Sequence, residues 1–168
     1  MADNTVSGLE AALLKAKSDA LRLISFQPRS IEELKMRLKQ KKHAPELVEE
    51  VLATLKKQGL IDDEKFAQLF ANSKVSKPVG RRRLEGDMKK KGLKAEVISK
   101  TLAGLEDYDE KKMARELAQS RYQRIKDLPA QKIKARLFGL LSRRGFRSDT
   151  IYAVVAELFK NDGENNEG

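Results

Sequence analysis

Gly59-Leu60-Ile61-Asp62-Asp63-Glu64-Lys65-Phe66-Ala67 ends one helical pattern on a glycine and opens the next on a run of acids. A weaker version of the same punctuation returns between Gly104 and Glu110. Glycine stops helices because it takes the left-handed conformation at no steric cost, and acids start them because they face the positive end of the helix dipole. A chain that stops and restarts in this way is built from repeats.

Alignment of Leu34 with Leu84 and Leu137 brings the rest into step, at separations of 50 and 53 residues. One turn later on the same face stand Leu38, Met88 and Leu141, and after them Lys42, Gly92 and Gly145 sit where a left-handed residue would end each helix. His43, Leu93 and Phe146 follow. A second apolar ladder then runs through Val48, Ile98 and Ile151 and closes at Leu55, Leu105 and Leu158.

Each unit also has a leading helix. The first, roughly Glu10 to Phe26, carries Leu13, Leu14, Leu21 and Ile24 as its apolar stripe. The second, about Asp63 to Lys74, carries Phe66, Leu69 and Phe70, and the third, from near Asp109, carries Met113, Leu117 and Tyr122. Prolines Pro28, Pro78 and Pro129 mark the connectors, and Ser30 with Glu33 fits a capping box.

The expected fold is therefore all-α: three tandem three-helix repeats stacked into an elongated, curved array. The expected boundaries are a disordered start at 1–8, repeats at 9–60, 61–106 and 107–160, and a disordered tail at 161–168.

Composition narrows the function. Of 168 residues 40% are hydrophobic and 36% charged, and the net charge is +10. The excess is spread as +3 over 1–60, +3 over 61–107 and +4 over 108–168, so the folded body is basic and suits a polyanion or an acidic protein surface. With no cysteine there is no disulfide framework or thiolate metal site, and no stretch is long and apolar enough for a membrane span. A soluble, cytoplasmic protein is expected, and with no long heptad, a monomer.

Catalysis finds little support. The acids Asp62, Asp63 and Glu64, and the cluster Glu106-Asp107-Tyr108-Asp109-Glu110, read as helix caps rather than as metal ligands or an acid/base pair. His43 stands where the other repeats place Leu93 and Phe146 and reads as a junction residue. No Ser/His/Asp constellation or Gly-rich phosphate loop can be assembled, so no catalytic residue, metal or cofactor is expected, and a nuclease is the weakest reading.

What remains is a surface. With Leu84 and Met88 inward, the opposite face of the second repeat's middle helix shows Arg82, Gly86 and Lys89, flanked by Arg83, Lys90 and Lys91. With Leu137 and Leu141 inward, the third repeat shows Gly139 beside Lys132, Arg136, Arg143 and Arg144. Gly86 and Gly139 hold the same repeat position, and a glycine inside a helix costs about 1 kcal/mol against alanine. Something approaches the backbone there: a phosphate backbone, a partner protein or the neighbouring repeat. Aromatics make up only 5% of the chain and Trp is absent, so base stacking is not expected and any DNA contact runs through phosphates.

The segment Gly59-Leu60-Ile61-Asp62-Asp63-x-x-Phe66-Ala67, with Arg29-Ser30-x-x-Glu33-Leu34-x-x-x-Leu38, Lys91-Gly92-Leu93 and Arg144-Gly145-Phe146, resembles the RecX family of bacterial regulators of the RecA recombinase. The resemblance runs from about Ala20 to Leu158. It implies tandem three-helix repeats and a non-enzymatic protein that binds the groove of the RecA filament, limits its growth, and dampens recombination and the SOS response. Two departures stand out. Lys77-Pro78-Val79-Gly80 replaces the family's Lys-Gly before the second middle helix, and Arg81-Arg82-Arg83 is more basic than the family pattern, which favours direct DNA contact. The competing reading is an independent, sequence-nonspecific DNA-binding repeat protein.

Overall fold

The computed structural model describes residues 3–105 and 108–165, with side chains from 7 to 105 and 108 to 160. The described residues form nine helices and no strand. Helices α1 (Asp3–Phe26), α2 (Ile31–Gln40) and α3 (Pro45–Lys57) come from the first repeat. They are followed by α4 (Asp63–Val75), α5 (Arg81–Lys90) and α6 (Ala95–Ala103), then α7 (Glu110–Tyr122), α8 (Ala130–Arg143) and α9 (Ser148–Asn165). Helical backbone thus reaches into both ends expected as disordered; residues 1, 2 and 166–168 lie outside the described residues.

Four helices end alike. Lys42, Gly59, Gly92 and Gly145 have φ of 65°, 69°, 76° and 81°. In each case the next residue's amide reaches back five residues: His43 to Leu38, Leu60 to Leu55, Leu93 to Met88 and Phe146 to Leu141, at 3.0–3.3 Å. This is the Schellman arrangement, which satisfies carbonyls a helix end would otherwise leave unpaired. Lys42 accepts the same conformation without glycine's freedom, at an exposed position.

The chain divides into two compact units, 1–70 with 88–101 and 71–87 with 102–168, so α4, α5 and the end of α6 are shared between them. In the first, Leu34 and Leu38 of α2 meet Val48, Val51 and Leu55 of α3. In the second, Leu137 and Leu141 of α8 meet Phe146 and the α9 residues Ile151, Val154 and Leu158. These are the ladders expected from the sequence, and each fully buried Leu or Val contributes about 1.5–3 kcal/mol.

The leading helices differ from expectation. Leu14 and Leu21 are 68% and 38% exposed and Leu69 is 60% exposed. The contact face of α1 is instead Ala16 and Ala20, both fully buried, with Leu13, Leu23 and Ile24 beside them. The same pair recurs as Ala67 and Ala71 in α4 and Ala114 and Ala118 in α7, all at 0% exposure. Alanines four apart lie on one helical face and let the backbone sit close to its neighbours, which leucines at those positions would prevent.

Candidate functional site

The basic surface is positioned by an interlock that each unit contains once. In the first unit, the buried Ser30 Oγ donates to the carbonyl of Lys91, at the end of α5, and accepts from the Glu33 amide at 3.1 Å. Gly92 packs against the Cβ of Glu32, where a side chain on residue 92 would collide. Lys91 Nζ meets Glu33 Oε1 at 2.6 Å, so only half of the expected capping box forms: the glutamate turns to the lysine rather than back to Ser30.

In the second unit, Gly80 N donates to the Arg144 carbonyl at 2.9 Å and Arg82 N to the Gly145 carbonyl at 3.1 Å. A Cβ on Gly80 would overlap the Gly145–Phe146 peptide, and one on Gly145 would overlap Arg83. In both places the N-terminus of one middle helix sits on the C-terminal turn of the next repeat's middle helix. In the second unit backbone donors meet the orphan acceptors directly, in the first the Ser30 hydroxyl does so, and in both the opposite ends of two helix dipoles face each other.

The acids complete each interlock. Asp62 Oδ1 accepts from the Glu64 and Lys65 amides at 2.8 and 3.1 Å and caps its own helix, as Asp109 does by accepting from Lys112 N at 2.9 Å. Their neighbours reach another helix: Asp63 Oδ1 accepts from Ile31 N at 2.9 Å, and Glu110 Oε1 from Arg81 N at 3.0 Å and Arg147 N at 3.3 Å. Glu64 pairs with Lys100 at 2.7 Å. Glu106 and Asp107 lie outside the described residues. Tyr108 donates its hydroxyl to the Val79 carbonyl at 2.9 Å, and its burial raises its pKa well above the ordinary tyrosine value. His43 Nε2 is 2.9 Å from Asp19 Oδ2.

The eleven surface residues singled out from the sequence fall into three groups. Arg83, Lys91 and Arg144 belong to the interlocks: Arg83 donates to the Arg143 carbonyl and Arg144 to the Pro78 carbonyl, both at 3.3 Å, and Lys91 holds Glu33. Arg82, Lys89, Lys90, Lys132, Arg136 and Arg143 are exposed. Gly86 has no other residue within 4 Å of a Cβ built on it, and Gly139 has only the guanidinium of Arg143, at 3.1 Å. Among the described residues of the second unit, no side chain of another helix fills either glycine position.

Within the second unit, Arg136 and Arg143 of α8 converge on Gly139, and Arg121 from the last turn of α7 joins them. The three arginines border a recess of about 420 Å³ whose other lining residues are Ala135, Gly139 and Leu140, with no acid among the described residues. Nothing in the middle helices signalled Arg121, which stands on a different helix. Arg82 borders a second recess with Arg81 and Arg147, but Glu85 and Asp149 line that one too.

Known proteins supply the frame for this geometry. RecX three-helix domains match in order along the chain: the first over residues 16–55, the second over 62–102 and the third over 103–155. Regulatory protein RecX of Mycolicibacterium smegmatis is 34% identical over 155 residues, spanning 89% of this chain and 82% of its own. The chain belongs to the RecX family.

Regulatory protein RecX of Mycobacterium sp. strain JLS is 35% identical over 150 residues, spanning 86% of this chain and 82% of its own. The crystal structure of RecX from Lactobacillus salivarius superimposes with a TM-score of 0.81 at 20% identity, over 89% of this chain and 97% of that one. That likeness establishes the RecX fold: all-α, in tandem three-helix repeats. Among the described residues, no helix is long and apolar enough to cross a membrane.

Proposed function

We propose that this RecX-family regulator is a cytoplasmic, non-enzymatic negative modulator of the RecA recombinase. It binds the RecA nucleoprotein filament, limits its extension, and so dampens recombination and the SOS response. The observation that carries the DNA-facing part of this reading is the acid-free recess bordered by Arg121, Arg136 and Arg143. Three guanidiniums around a glycine offer planar, forked donors to phosphate oxygens at a point where a backbone can come close. Lys132, one turn before Arg136 on α8, and Arg82, Lys89 and Lys90 on α5 add positive charge around the filament's phosphates. Gly86 offers a second unobstructed backbone position on α5.

The test is RecA's DNA-dependent ATP hydrolysis and filament assembly, titrated with the wild type and with Arg121→Glu/Arg136→Glu/Arg143→Glu. All three side chains are exposed, so the variant should keep its circular dichroism spectrum. The wild type should slow ATP hydrolysis and shorten filaments, with the variant at least tenfold weaker. Full inhibition by the folded variant would remove the recess from the mechanism. Tight binding to naked DNA without any effect on RecA would favour the independent DNA-binding reading instead.

A further inference from the structure

An apolar cavity of about 670 Å³ opens on the first unit, remote in sequence from every arginine of the α7–α8 recess. Its floor is made by Leu21 and Ile24 of α1, Leu60 and Ile61 of the turn between α3 and α4, and Phe66 and Leu69 of α4. Leu21, Leu60 and Leu69 are 38%, 51% and 60% exposed, while Ile61 and Phe66 beside them are buried. Leu14, two turns before Leu21 on the same face of α1, is 68% exposed and continues the apolar strip.

Charge decides what such a floor receives. Among the described residues the rim carries Arg22, Arg29 and Lys65 against a single acid, Asp62, whose Oδ1 is taken by two amides of α4 and whose Oδ2 lies 3.9 Å from Lys65 Nζ, at an exposed position. Arg29 is held in place by its Nε bond to the Leu23 carbonyl at 3.3 Å. A second copy of this chain would bring the three cations against themselves. The chain's own end, 161–168, supplies Asp162, Glu164 and Glu167 but no apolar side chain to fill the floor.

We infer that this cavity docks an acidic amphipathic segment of a partner protein, with apolar side chains on the leucine floor and carboxylates at Arg22, Arg29 and Lys65. The inference goes beyond the proposed RecA reading: it requires no nucleic acid, and its test uses no RecA. Docking through an apolar floor with a charged rim separates the two contributions, since the floor sets affinity and the rim selects the sign of the partner.

The full-length protein, labelled with nitrogen-15, is titrated with three synthetic helical peptides about four turns long. One has leucines along one face and glutamates elsewhere; the second replaces the glutamates with lysines, and the third replaces the leucines with serines. The acidic peptide should shift amide resonances around Leu21, Leu60 and Leu69, with both controls about tenfold weaker or more. Leu69→Ser, at an exposed position that leaves the core intact, should weaken the acidic peptide by a similar factor. Shifts elsewhere, equal binding of the lysine peptide, indifference to Leu69→Ser, or no binding at all would overturn the inference. Groove shifts on concentrating the protein alone would assign the surface to a second copy instead.

Discussion

A methyl group on Gly80 has nowhere to go, because the Gly145–Phe146 peptide occupies the place of its Cβ. Gly86, half a dozen residues later on α5, faces open space. The two therefore respond in opposite directions to the same substitution. Gly80→Ala should destabilise the second unit by about 1–3 kcal/mol, since a backbone cannot yield as a side-chain tip can. Gly86→Ala should stabilise the protein by up to about 1 kcal/mol through helix propensity. Denaturant midpoints measured side by side check both, and a Gly80→Ala protein as stable as wild type would remove the interlock. Asp19 is the second residue whose surroundings dictate a measurable outcome. Lys41 Nζ at 3.0 Å and His43 Nε2 at 2.9 Å hydrogen-bond its carboxylate, and the lysine first, then the histidine, lower its pKa. A carboxyl whose folded pKa is depressed adds stability that is present above its unfolded value of about 4 and disappears as pH falls through the folded value. Asp19→Asn should therefore lose stability near neutrality and show a shallower decline on acidification below pH of about 4 than wild type, read from thermal melts across that range.

At the scale of the helices, adjacent acids have separate duties. Asp62 caps α4, the helix it precedes, whereas Asp63 caps α2, whose first amide lies 32 residues earlier in the chain. Loss of either cap costs about 1 kcal/mol, so global stability alone does not tell them apart. Hydrogen exchange does: Asp62→Ala should speed exchange at the Glu64 and Lys65 amides, and Asp63→Ala at Ile31. Faster exchange at Ile31 in the Asp62 variant alone would reverse the assignment. The acids were legible in the sequence as caps, because acids at a helix start have one dominant physical use. Which helix Asp63 serves was not, since no local pattern encodes a partner so far away. The apolar ladders were legible for a similar reason: Leu34 with Leu38, or Leu137 with Leu141, announces a face by size and period. Ala16 with Ala20 announces nothing, because alanine favours a helix on any face, and so the apolar period points to Leu14 and Leu21 in their place. Only the recurrence of the pair in α4 and α7 gives it away, and that requires the buried face to be known first.

Across the whole molecule, the net charge of +10 favours a polyanion as partner, and a diffuse positive body and an organised recess would hold one differently. Counting around α8 was enough to place Arg136 and Arg143 on one face with Gly139, but a helix wheel holds no information about a second helix, so Arg121 was missed. The same counting put Arg83, Lys91 and Arg144 on the surface, yet each holds a backbone carbonyl or carboxylate of its own unit. Those three should contribute to stability more than to binding. A diffuse charge and an organised recess differ in their dependence on salt. Each phosphate neutralised lowers the slope of log affinity against log salt concentration by about 0.9 on duplex DNA. If the recess engages phosphates through all three arginines, Arg121→Ala/Arg136→Ala/Arg143→Ala should flatten that slope by about 2–3, with weaker binding at low salt. The comparison is Lys→Ala changes at three exposed lysines that do not line the recess, such as Lys15, Lys56 and Lys94, which remove the same net charge. Fluorescence anisotropy on a labelled duplex at several salt concentrations gives both slopes. Equal flattening by the two triple variants would mean that the positive body as a whole, and not the recess, holds the nucleic acid. A larger change in the arginine variant would identify the α7–α8 face as the place where phosphates are held.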